Sequence, residues 1–116
     1  MENLFNAFTT PLLLSGIIFV IVSLLLLKFP PKEINSFYGY RTSTSMETQE
    51  QWDFAQRYSS IMMFKCGIGM ILISLIGPFL TDIDAAVLSI SAIVVLLLPV
   101  AILFYKTEKA IKNKFK

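Results

Sequence analysis

Few side chains in this sequence could do covalent or acid–base chemistry. It has no histidine, and its single cysteine, Cys66, lies inside an apolar run. The commonest general base and metal ligand is therefore missing, and one thiol makes neither an internal disulfide nor a multi-cysteine metal site. Acid–base work would fall to Glu47, Glu50 or Asp53, which sit where acidic groups ordinarily favour the start of a helix. No enzyme activity, cofactor or metal is expected. The groups suited to binding gather in one polar stretch, residues 35–59, and are Asn35, Tyr38, Gly39, Tyr40, Arg41, Thr42, Trp52 and Gln56. Gly39 would set the loop, since its flanking tyrosines resist the backbone angles that glycine adopts. Tyr38, Tyr40 and Trp52 would form an aromatic wall, and Arg41 would hold a phosphate or carboxylate in bidentate fashion. The competing reading makes these rings ordinary aromatics of a membrane–water interface.

The elements that must position this stretch are hydrophobic. The chain of 116 residues is 55% apolar, and its mean hydropathy of +0.69 fits an integral membrane protein. Residues 11–27 form an uncharged run that spans about 26 Å as a helix, just enough for a hydrocarbon core. Lys28-Phe29-Pro30-Pro31-Lys32 stops it, because successive prolines cannot continue a helix. Thr44 and Glu47 have the spacing of a capping box, which predicts one long helix over roughly 45–80. Its first turns would stand out of the bilayer and residues 58–80 would cross it. Ala55, Ser59, Met62, Cys66, Gly69, Ile73 and Gly77 share a small-residue stripe suited to packing against the first and third helices, or against a second copy. After the turn Thr81-Asp82-Ile83-Asp84, residues 85–105 form a third span and residues 106–116 a basic tail.

Charge sets the orientation. With three spans, the 28–57 loop and the tail share one side and hold every Lys and Arg, if Lys65 reaches back to that side. The other side carries Glu2, Asp82 and Asp84. The positive-inside rule then places loop and tail in the cytoplasm and the N-terminus outside. Lys65 has no intramembrane acid to pair with, so snorkelling to the interface is favoured over an ion pathway. The tail suits an anionic membrane surface better than nucleic acid, because no stacking aromatics interleave its lysines.

The run Asn35-x-x-Tyr38-Gly39-Tyr40-Arg41-Thr42, followed by Trp52, Ala55 and Gln56, resembles the signature of the SdpI family of bacterial membrane proteins. The likeness covers most of the chain and corresponds to the C-terminal module of longer members. It implies a location in the bacterial inner membrane and immunity against a secreted, membrane-active peptide toxin. It also implies signalling by recruitment of a cytosolic repressor. The combined expectation is an all-α integral membrane protein of three transmembrane helices. Its second helix extends into the cytoplasm, and an aromatic loop joins helices one and two. The leading function is non-enzymatic neutralisation of a peptide toxin. One alternative is an anionic-lipid-binding or assembly protein that holds headgroups with Arg41 and the tail. The other is a small transporter or transport subunit, which the lack of paired intramembrane charge disfavours.

Overall fold

The computed structural model describes residues 6–115 and is all-helical over them. Helix α1 covers Thr9–Lys28, α2 Gln49–Ser74 and α3 Ala85–Phe115, with a short 3-10 turn at Gly77–Phe79 between α2 and α3. All three helices are long and apolar enough to cross a membrane. Their outward faces fit that solvent: Ile18, Leu72 and Ile90 are 57%, 60% and 62% exposed. Such a continuous apolar surface is tolerated only in lipid or under a partner.

The bundle is held by close approach rather than by a large core. Helices α1 and α2 meet at Gly16 and Gly67, where a Cβ on Gly16 would lie 2.8 Å from the Gly67 carbonyl oxygen. Leu12, Met70, Leu88 and Ala92 then pack together along the three helices. The small-residue stripe divides along α2. Ala55 and Met62 pack with Leu103 and Ile111 of α3, and the Cys66 thiol reaches the Pro99 carbonyl at 3.6 Å. Gly69 faces open space instead, Ile73 is exposed, and α1 uses Gly67. The expected single packing face is therefore two faces, because α1 and α3 approach α2 from different sides. Ser23 and Ser74 bond carbonyls of their own helices, at 2.8 Å and 2.6 Å, which disposes of their hydroxyls in an apolar setting.

Helix α2 starts later than the sequence suggested. Its N-cap is Thr48, in extended conformation, whose Oγ1 accepts from the Gln51 N–H at 3.0 Å. Thr44 and Glu47 belong to the preceding turn. The reason lies in Ser45, whose hydroxyl is drawn back to the Tyr40 and Thr42 carbonyls. Helix α2 also ends at Ser74, short of the expected 80, where the chain tightens into the turn containing Pro78. Asp84 opens α3 by accepting the Ala86 N–H through Oδ2 at 3.0 Å. Beyond it, the third span and the basic tail are one continuous helix to Phe115.

The molecule is 52 Å long. A hydrocarbon core is about 30 Å thick, so the bundle projects beyond it. The projection is the loop-and-tail end, where the first turns of α2 run beside the last turns of α3 and the 29–48 loop wraps over both. Phe54 and Phe115 meet edge to face there at 5.8 Å between centroids.

Candidate binding site

The sequence-selected residues fold into a cap on that projecting pair of helices. Its pivot is Gln56. The Gln56 side chain accepts the Tyr40 N–H through Oε1 at 2.6 Å and donates through Nε2 to the Tyr40 carbonyl at 2.7 Å. One buried amide thus serves a loop backbone as a neighbouring strand would, satisfying both of its polar groups. This contact explains Gly39. Its φ is +99°, and a Cβ there would lie 2.4 Å from Gln56 Oε1 and 2.7 Å from Pro31 Cγ. No other residue fits both the angle and the space.

Trp52 is fully buried and its Nε1–H donates to the Pro31 carbonyl at 2.7 Å, tying the double proline to α2. Asn35 builds a turn of its own: its Oδ1 accepts the N–H groups of Phe37 and Tyr38 at 2.9 Å and 2.7 Å. The Tyr38 hydroxyl donates to the Phe29 carbonyl at 2.6 Å, and the Tyr40 ring lies 5.5 Å from that of Phe104. The three rings expected to form one wall therefore point to three places, at Phe29, at Phe104 and under Pro31. The guanidinium of Arg41 is exposed and donates to the Ser36 carbonyl.

Glu108 went unnoticed in the sequence and completes the cap. Its Oε2 accepts the Tyr40 hydroxyl and the Thr42 hydroxyl, each at 2.7 Å, so the loop is tied to α3 as well as to α2. Burial alone would raise the Glu108 pKa, but the hydroxyls of Tyr40, Thr42 and Thr44 and the charge of Lys112 hold it below the usual carboxylate range. Burial, reinforced by Glu108, pushes the Tyr40 phenol well above its ordinary value. At neutral pH the pair is therefore a phenol donating to a carboxylate, a charge-assisted bond. Glu108 was detectable only as the single acid among the tail lysines. Thr107 beside it is fully buried, and its hydroxyl lacks a hydrogen-bond partner among the described residues.

Under the cap, α1 and α3 diverge over α2 and leave a groove of about 400 Å³. Phe19, Val22 and Leu26 of α1 form one wall, and Val100, Leu103 and Phe104 of α3 the other. Ser59 and Met63 of α2 lie between them, and the loop residues 37–41, Arg41 included, close the end. An apolar trough with one cation and two tyrosines at its mouth suits an amphiphile whose polar end is anionic. Among the described residues no group of three or more His, Cys, Asp or Glu could hold a metal ion.

Residues 32–112 match the model of the SdpI/YfhL protein family. The chain is also 38% identical over 100 residues to the "Uncharacterized protein YfhL" of Bacillus subtilis (strain 168), covering 86% of this chain and 84% of that one. No solved structure matches.

Proposed function

This chain belongs to the SdpI/YfhL protein family and is a multi-pass membrane protein, and from that premise we propose that it is a non-enzymatic binding protein of the immunity type. Its ligand in this reading is a membrane-active peptide held within the bilayer. The observation that carries the proposal is the groove beneath the cap. Signature residues Tyr38 to Arg41 close its end while three membrane helices line its length. A peptide inserted in the bilayer would reach it sideways and lay an apolar face against Val22, Val100 and Phe104. Its acidic side chain or terminal carboxylate would meet Arg41.

In this reading the loop-and-tail end faces the cytoplasm and the N-terminus the outside, an orientation supported by the Lys and Arg gathered at the loop-and-tail end. A toxin arriving from outside is then met after insertion, in the inner half of the bilayer. The projecting ends of α2 and α3 face the cytosol, where a regulator could sense occupancy. Trp52, Gln56, Gly39 and Asn35 act here by building the cap, and Arg41 and Tyr38 by contact.

Survival of a sensitive bacterium under a panel of membrane-active peptides tests this reading. Wild type is expected to protect against at least one peptide. Val100→Trp, which fills the groove, should abolish that protection at equal expression, and Arg41→Ala should weaken it. Protection unaffected by Val100→Trp, or no protection against any peptide, contradicts the proposal.

A further inference from the structure

A second hollow, of about 380 Å³, opens between the end of α1 and the first turns of α2. Leu26, Leu27, Pro30 and Pro31 make its apolar part, and Lys32, Asp53 and Arg57 its charged rim. The rim is fixed in place from behind. Gln49 donates through Nε2 to the Lys32 carbonyl at 2.6 Å and to Asp53 Oδ1 at 2.8 Å, while Trp52 holds Pro31. The Gln56 amide at the back is committed to Tyr40. Lys32 and Arg57 are both exposed, and Asp53 already accepts from Gln49. Arg57 lies one helical turn, about 6 Å, further along α2 toward the membrane than Asp53. The cation is thus the lower charge, nearest the plane where phosphates lie.

We propose that this cleft binds an anionic phospholipid, with its phosphate between Lys32 and Arg57 and one acyl chain descending over Leu26 and Leu27. Charge and position both select this occupant. Two of the three charges on the rim are cationic and the third, Asp53, is engaged by Gln49, while the apolar part continues into the lipid-facing surface of α1. An Arg and a Lys converging on one phosphate supply bidentate and point-charge contacts together. The inference is independent of the peptide reading, since the two hollows share only Leu26 at their linings.

The test is native mass spectrometry of the full chain released from vesicles of equal phosphatidylglycerol and phosphatidylcholine. Wild type should retain phosphatidylglycerol preferentially. The double variant Lys32→Gln/Arg57→Gln should lose at least about tenfold in that preference, because direct charge-assisted contacts to the phosphate are removed. Leu27→Trp, which blocks the acyl path with both cations intact, should lose it too. Lys109→Gln/Lys114→Gln removes two tail charges and should change it less than twofold. Equal losses in the cleft and tail variants would reduce the preference to diffuse attraction and overturn the site. Full retention in Lys32→Gln/Arg57→Gln, or in Leu27→Trp, would overturn it as well.

Discussion

At one end of the bundle Asn6 donates to the Gly77 carbonyl at 2.7 Å and Thr9 to the Ser74 carbonyl at 3.0 Å, tying the start of α1 to the end of α2. At the other end, Gln56, Trp52 and Glu108 tie a twenty-residue connection, 29–48, to α2 and α3 together. The first lock uses carbonyls at the end of α2 and in the turn after it, the Gly77 one shared with the Leu80 N–H, so it joins two neighbours and does nothing more. The second uses side chains to satisfy a loop backbone, so it creates a surface. Only the second borders a groove with a cation at its mouth. The residues selected from the sequence lie in the second lock because a loop without helix or strand must have its polar groups met one by one. Each such partner is a residue with little freedom to change.

Trp52→Ala should expose this difference most strongly. Truncating a fully buried tryptophan costs about 4 kcal/mol, and the Pro31 carbonyl loses its donor. Thermal unfolding in mild detergent should show the loss, and hydrogen exchange should rise through residues 31–45 while the Asn6–Gly77 end stays protected.

Two crowded glycines, one at each end, compare the ends directly. Gly39→Ala meets both a positive φ and the fixed Gln56 amide, and should cost about 3 kcal/mol. Gly77→Ala meets no positive φ, but its Cβ would run into Thr9 Oγ1 and lie 2.9 Å from Thr9 Cβ, so the hydroxyl must turn away and the start of α1 must shift slightly. That should cost about 2 kcal/mol, less than at Gly39. Equal losses in the two variants would erase the distinction between the ends.

Acid should loosen the cap and leave the opposite lock intact. The folded-state pKa of Glu108 is lowered, so its contribution is complete above the unfolded carboxylate value, about 4.3, and is lost as pH falls through the folded one. Tyr40 is shifted upward, so its contribution is complete below about pH 10 and is lost only as pH rises through its folded value. Exchange at 38–45 should accelerate below about pH 4 in wild type, and much less in Glu108→Gln. The smallest effect belongs to Thr107→Val. Removing a buried, unpaired hydroxyl for a methyl of similar shape should be neutral or stabilise by under about 1 kcal/mol.

Much of the architecture was legible because apolar length and charge placement are local properties of a sequence. Three helices, the two prolines that end α1 and the special backbone at Gly39 could all be read that way. The start of α2 could not. Thr44-x-x-Glu47 and Thr48-x-x-Gln51 both match a capping pattern, and the choice between them rests on Ser45 bonding back to Tyr40 and Thr42. Gln56 was selected, but its use as a backbone partner depends on a contact sixteen residues back. Glu108 lies 68 residues from Tyr40, and among lysines it reads as one charge of a solvated tail. Only the antiparallel pairing of α2 with α3 brings it to the loop.

Whether the 29–48 loop is a cap clamped to α3 is tested most directly by a double-mutant cycle on Tyr40→Phe and Glu108→Gln, followed by unfolding in mild detergent. A charge-assisted bond of this kind should give a coupling energy of about 1.5 kcal/mol or more, and it should shrink below pH 4. Additive losses, with a coupling near zero, would mean that the loop does not rest on Glu108 and would contradict the account.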